Sequence, residues 1–300
     1  MRSEPRDYVT RRDVASPNRC RHAVYPGRVS PIDESPSSLS DDLALALRLA
    51  DAADAVAMAR FDASDLRIDT KPDRTHVTEA DLATERAIRE ILDAERPDDA
   101  ILGEEYGTTG DTVRRRWVID PIDGTHNYMR GIPIWATLIA LTVDGVPQVG
   151  VVSQPALGRR WWAATGHGAW TNGRDGEARG IHVSGVDEIA HASISFQSIE
   201  QWDDVDLVPT LERLARAVWR DRGYGDALPY MWLAEGRLEL VAEFGVKEYD
   251  IAAIAPIVRE AGGRFSAFDG SERLDAESSL ATNGVLHDAF LAFLHETDTP

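Results

Sequence analysis

The sequence predicts a protein of mixed α and β structure, α+β in its first half and α/β in its second. Two patterns carry that expectation. Between about residues 100 and 164, short apolar runs follow one another with turn residues between them, as antiparallel strands do. From about residue 190, similar runs alternate with helical periodicities, the order found in α/β units. Both parts surround one stretch, Trp117 to Gly131, WVIDPIDGTHNYMRG, in which a strand runs into two closely spaced aspartates.

The 300 residues, 43% of them hydrophobic, suffice for one large domain or two medium ones with an ample core. No apolar run approaches the roughly 18–20 residues of a membrane span. The net charge of −19 disfavours a nucleic-acid backbone as partner. It would repel a phosphate ester as well, unless metal ions reversed the local sign. The single cysteine, Cys20, excludes an internal disulfide and fits a reducing cytosol.

Residues 1–39 read as a disordered tail, with seven Arg, five acids, several Pro and Ser and no amphipathic period. The tail is about +2, which leaves about −21 on the rest. No apolar segment follows Arg11-Arg12, so no secretory or twin-arginine signal is expected. Ser40-Asp41-Asp42 is expected to cap a helix to about Phe61, with Leu43, Ala46, Leu47, Ala50 and Ala53 on its buried stripe. Residues 66–77, containing Lys71-Pro72-Asp73, read as an extended mobile loop. Thr78-Glu79-Ala80-Asp81 fits a capping box that opens a second helix ending before Pro97.

Residues 100–102 form a short strand followed by Glu104 and Glu105, ordinarily a solvated pair. In an extended backbone Glu105 would face away from Glu104. Pro121 fixes its own φ and is expected to turn the chain after the strand 117–119. Asp120, Asp123 and the Ile122 carbonyl could then converge on one point, although Asp-Pro and Asp-Gly pairs are also plain turn formers. Their all-oxygen chemistry suits Mg²⁺ or Mn²⁺ and suits Zn²⁺ poorly. Gly124 allows close backbone approach, and its N–H with that of Thr125 would meet an anion if they open a helix. Residues 136–143, 149–152 and 160–164 read as antiparallel strands, the first pair joined by Asp144-Gly145. His167 and His182 have no companions at metal-ligand spacing.

The second part, residues 190–300, is expected to follow a first part of 40–189. It has a strand at 192–196 and a helix at 207–219, then a helix opened by Gly225-Asp226-Ala227. A strand to Glu243 follows, and a helix begins near Tyr249-Asp250. Asp226 could simply cap its helix, and Asp250 would be favoured at a helix start by the dipole alone.

The run D-P-I-D-G-T-H-N-Y resembles the signature of the inositol monophosphatase family, Mg²⁺-dependent and Li⁺-sensitive phosphatases, and the likeness extends from about Ser40 to the C-terminus. The resemblance implies a layered α-β-α-β-α sandwich with an antiparallel N-terminal sheet and a smaller C-terminal α/β part. It implies metal ligands at Glu104, Asp120, the Ile122 carbonyl, Asp123 and Asp250, holding two or three Mg²⁺. It assigns Glu104 and Thr125 to orient the attacking water, and Asp81 to a third metal or its water. Lys71 would lie on a flap over the site. The substrate would meet Asp123, Gly124, Thr125, Asp226, Glu243 and Asp250.

Within the family the sequence looks closest to the branch that hydrolyses histidinol phosphate. Asp226 replaces the Ser or Thr of polyol-specific members, and with Glu243 it favours a substrate with a cationic end. Inositol monophosphate or another small phosphate ester is the alternative. The resemblance further implies a cytoplasmic homodimer acting on a small phosphorylated substrate. Three departures from the family's pattern stand out: His126 for Thr or Lys, Tyr128 for Phe, and Tyr249 for Trp. No G-x-S-x-G or Walker-type phosphate loop is present, so neither a serine nucleophile of that kind nor nucleotide hydrolysis by that route is expected.

Overall fold

A computed structural model describes residues 36–296 apart from 72–74, 112–113 and 174–175, so the Arg-rich tail and Pro72-Asp73 lie outside the described residues. Helix α1 (Pro36–Arg60) already runs through Ser40, which is therefore no cap. Asp42 sits inside the helix, 2% exposed, and binds Arg96 and Arg115. The buried stripe is Leu45, Ala46, Leu49, Ala50, Ala53 and Ala57; Leu43 and Leu47 are only half-buried at its edge.

Where a loop was expected, β1 (Ile68–Thr70) and β2 (His76–Thr78) pair as an antiparallel hairpin. β1 is exposed throughout and each strand carries a single aliphatic residue, Ile68 or Val77, so no apolar alternation announces them. Helix α2 (Glu79–Glu95) opens with the expected capping box. The Thr78 hydroxyl receives the N–H groups of Ala80 and Asp81, and the Thr78 N–H donates to Asp81.

There follow β3 (Ala100–Gly103), β4 (Gly107–Thr109), β5 (Arg115–Asp123), the single turn α3 (Thr125–Tyr128), β6 (Ala136–Val143), β7 (Val146–Gln154), β8 (Arg159–Ala164), β9 (Ala169–Asn172) and β10 (Ala178–Gly180). They build an eight-stranded sheet ordered β10-β9-β8-β7-β6-β5-β3-β4. It is antiparallel except that β3 runs parallel to β5: the chain reverses in β4, on the outer side of β3, and reverses again to enter β5 on the inner side. Asp144 and Gly145 both have positive φ, 50° and 79°, as a type I′ hairpin turn between β6 and β7 requires. The expected turn after residue 119 is instead a bulge: β5 continues to pair with β6 as far as Asp123, with its register shifted between Asp120 and Asp123.

The chain then forms β11 (Ser193–Ser195), α4 (Ile199–Asp203), α5 (Val208–Ala217), β12 (Arg220–Arg222), α6 (Leu228–Ala234), β13 (Leu240–Phe244), α7 (Glu248–Ile251), α8 (Ile254–Glu260), β14 (Arg264–Ser266), β15 (Ser278–Thr282) and α9 (His287–His295). The second sheet, ordered β12-β11-β13-β15-β14, is mixed: β11 is parallel to β12 and β13, while β15 is antiparallel to β13 and β14.

Side-chain alternation separates the layers. On β13, Val241 joins a core with Leu138 and Ala140 of the large sheet and Met231, Ile254 and Ile257 of α6 and α8. Its neighbours Leu240 and Ala242 join Trp202, Leu214, Phe290 and Leu294 on the far side. Helices α1 and α2 pack on the other face of the large sheet, against β5, β6 and β7. The result is five layers, α-β-α-β-α, with both faces of each sheet covered. That is why β6 is buried at every position.

His287, 1% exposed at the start of α9, meets the hydroxyls of Ser266 and Thr282, each at 3.1 Å. Burial, aided by the Arg264 charge, pushes its imidazole down to about 4. The unfolded chain takes up this proton first, so the group disfavours folding as pH falls from about 6.5 to about 4. The urea midpoint should decline across that window, and decline less in His287→Gln. Equal declines would remove His287 as the cause.

Candidate active site

The β5 bulge is the hub. Asp120, 2% exposed, accepts the Ile122 N–H at 3.0 Å, which fixes its carboxylate toward the bulge. Burial raises its pKa well above the usual carboxylate range, and Glu104, Asp123, Asp250 and Asp81 raise it further. Asp123 is raised likewise, chiefly by burial and then by Asp226 and Asp250, and it accepts the Ala227 N–H at 2.7 Å. Asp250 receives the Lys247 N–H at 2.6 Å at the start of α7. Burial first, then Glu243 and Glu104, lift it to about 7, against the Lys247 hydrogen bond. Segments far apart in sequence thus feel one another's charge at a single place.

Gly124 caps α3 in the left-handed region, φ 88°. A Cβ there would stand 3.0 Å from an Asp226 carboxylate oxygen and 3.2 Å from the Ile134 carbonyl, so glycine is required on both counts. The Thr125 hydroxyl lies between Asp81 Oδ1 at 3.2 Å and the Ile122 carbonyl at 3.1 Å. Asp81 therefore closes the capping box with one oxygen and meets Thr125 with the other. Burial raises its pKa, against the hydrogen bonds from Thr78.

Lys71 Nζ reaches Glu104 and Glu105, each at 2.9 Å. The expectation that Glu105 faces away from its neighbour does not hold. Residues 104–106 form a turn, so strand alternation does not apply to them. Burial and the Glu104 charge, opposed by Lys71, bring Glu105 to about 7.

Asp226, with φ 52°, does not cap α6: the cap position is Ala227 and no side chain serves it. Asp226 instead accepts from Asn127 Nδ2 at 2.8 Å, and burial with the nearby Glu243 charge raises it to about 6. Glu243 accepts from Gln197 at 3.0 Å, Gln201 at 3.3 Å and Tyr230 at 2.8 Å. Burial still outweighs these bonds and raises its pKa.

Several partners escaped the sequence reading. Glu85, fully buried on α2, accepts the Glu105 N–H at 2.7 Å and the Tyr106 N–H at 3.3 Å, and pairs with Arg89. It shapes the turn that carries Glu104. Its one signal was Arg89 four residues on, which reads equally well as a surface pair. Asn127, Gln197, Gln201 and Tyr230 hold the acids of the second part, and their partners lie too far away in sequence to be inferred. Tyr128, in place of the family's Phe, donates to the Ala57 carbonyl at 2.7 Å and so fastens α1 to the motif.

Among the described residues no three or more His, Cys, Asp or Glu already stand in an arrangement that holds a metal ion. The donor chemistry nevertheless fits one. Asp120, Asp123, Asp250 and Glu104 offer only oxygen, and the first three are pushed toward protonation by burial and by mutual charge.

The chain belongs to the inositol monophosphatase family, whose profile matches residues 38–298. It is accordingly a phosphatase, in a family that generally depends on Mg²⁺. Among curated proteins it is 50% identical to a histidinol-phosphatase of Mycobacterium tuberculosis, over 85% of this chain and 98% of that one. A histidinol-phosphatase of Streptomyces coelicolor is also 50% identical, over 85% and 97%. Among solved structures, an inositol monophosphatase from Zymomonas mobilis matches with TM-score 0.74 and 34% identity, over 86% and 99% of the two chains.

Gly103 precedes the acidic turn, and a Cβ there would come within 1.9 Å of Glu85 Oε1. Gly103→Ala should lower the unfolding free energy by about 1–3 kcal/mol, as overpacking does, and reduce turnover by displacing Glu104. A urea midpoint equal to that of the unsubstituted protein would contradict this role for Glu85.

Proposed function

We propose that this chain is a Mg²⁺-dependent phosphomonoesterase that converts L-histidinol phosphate and water to L-histidinol and phosphate. The observation that carries the substrate is the pair Asp226 and Glu243. Both are half-buried acids whose pKa burial raises, the Glu243 charge raises that of Asp226 further, and Asp226 is freed from helix capping and held by Asn127. An anionic pocket beside a phosphate site suits an ester whose far end is an ammonium or imidazolium group. The half-identity to two histidinol-phosphatases supports the same reading.

Glu104, Asp120, the Ile122 carbonyl, Asp123 and Asp250 would hold two or three Mg²⁺. Bound there, the ions supply the positive charge that admits a phosphate to an acidic site and the acidity that activates water. The chain's own groups do the rest. Glu104 and the Thr125 hydroxyl, the latter braced by Asp81 and the Ile122 carbonyl, orient the attacking water, and the Glu104 carboxylate accepts its proton. Gly124 and Thr125 turn their N–H groups toward the phosphate. Asp226 and Glu243 anchor the cationic end. A cytosolic homodimer, the family's usual form, completes the reading; no helix among the described residues is long and apolar enough to cross a membrane.

Phosphate release from a panel of monoesters, with Mg²⁺ and with or without Li⁺, tests the proposal. Histidinol phosphate should be preferred, and Li⁺ should inhibit. Preference for inositol phosphate would remove the substrate assignment. Asp123→Asn should abolish turnover with the fold intact, as circular dichroism would verify; retained turnover would remove the metal assignment. Asp226→Ser should raise KM for histidinol phosphate about tenfold, the scale of one charge-assisted bond, and raise that for inositol phosphate less. Equal changes would discard the anchoring role.

A further inference from the structure

His126, one of the residues that depart from the family's pattern, has a partner. Its Nε2 lies 3.1 Å from Nδ1 of His76, with the rings 5.2 Å apart and inclined at 70°. Neither imidazole takes part in the chemistry above. His126 stands on α3 directly after Thr125, while His76 opens β2 and pairs across the hairpin with Thr70. The residue after Thr70 is Lys71, whose N–H donates to the Thr75 carbonyl at 2.8 Å and whose amine lies between Glu104 and Glu105. Among the described contacts, the loop end of the hairpin is therefore joined to the site twice, by Lys71 to the acidic turn and by His76 to the turn that follows Thr125.

We infer that His76 and His126 are a positioning pair: their hydrogen bond holds β1–β2 against α3 and so places the Lys71 amine over Glu104. One ring donates an N–H and the other accepts on its lone pair, which two neutral imidazoles or one neutral and one charged can do. A hydrogen bond of this kind contributes about 0.5–1.5 kcal/mol net, equivalent to roughly two- to tenfold in an equilibrium between docked and undocked hairpin. The Lys71 amine, 20% exposed, reaches Glu104, 18% exposed, and Glu105, 3% exposed, and is the first tether of this end of the hairpin. The second tether is what makes the placement specific. His126 touches no reacting atom in this account, and its effect passes through the hairpin.

The test is a double-mutant cycle read by amide hydrogen exchange at residues 68–71 and 75–78. His76→Ala and His126→Ala should each speed exchange there roughly two- to tenfold, and the double variant should exchange no faster than either single one. His126→Gln, which keeps a donor near Nε2, should restore the protection. The consequence for turnover rests on the phosphatase reading: KM should rise in both single variants while kcat stays within about twofold. Non-additive exchange without hydrolysis of any ester would uphold the pair and overturn the functional reading. Unchanged exchange in both single variants, or additive changes in the double, would overturn the pair.

Discussion

Negative charge crowded at one place in the fold is the constraint from which the rest of this structure follows. Asp120, Asp123 and Asp250 are each lifted by burial and by one another. Such a group is costly unless cations or hydrogen-bond donors answer it. The fold supplies donors one at a time. The Ile122 N–H serves Asp120, the Ala227 N–H serves Asp123, the Lys247 N–H serves Asp250, and the Lys71 amine serves Glu104. These bonds lower the cost without removing it, and the proposed function has divalent ions answer the remaining charge. An ordinary core would have replaced the carboxylates with apolar side chains of similar volume.

The five layers exist, from the site's point of view, to bring remote pieces of chain to this place. A bulge in β5 shifts the register between Asp120 and Asp123 without ending the strand. The first turns of α2 and α7 contribute Asp81 and Asp250 from helix starts, where the dipole favours a carboxylate. The opening of α6 returns an N–H to Asp123 and sets Asp226 beside Glu243. The acidic turn after β3 is held from behind by Glu85, which spends its buried charge on two backbone N–H groups and Arg89. Each of these is a local device, and the sheets determine where the devices meet.

Local devices were the legible part of the sequence. The capping box at Thr78, the strand 136–143 and the turn at Asp144-Gly145 depend on neighbours within a few residues, and the structure has them where the sequence puts them. The D-P-I-D-G-T motif pointed to the hub for the same reason. What could not be read depends on distant partners. The hairpin of β1 and β2 has no apolar alternation, and β14, β15 and α9 went unrecognised because β15 pairs with distant β13, β14 pairs with β15, and α9 packs against β13. The bulge was mistaken for a turn because Pro121 breaks a ladder in either case. Glu105 was misdirected by applying strand alternation to a turn. Glu85 and Asn127 could not be singled out, because a polar side chain held by distant partners and one facing solvent read alike in sequence.

The central claim, that like charges strained by burial make this a cation site, is tested most directly by thermal unfolding of Asp120→Asn and the unsubstituted protein over a range of Mg²⁺ concentrations. Asn keeps the side-chain oxygen that accepts the Ile122 N–H but carries no charge. The account predicts that the variant is the more stable of the two without Mg²⁺, and that Mg²⁺ raises the melting temperature of the unsubstituted protein far more than that of the variant. A variant less stable than the parent without Mg²⁺, or equally responsive to it, would contradict the account.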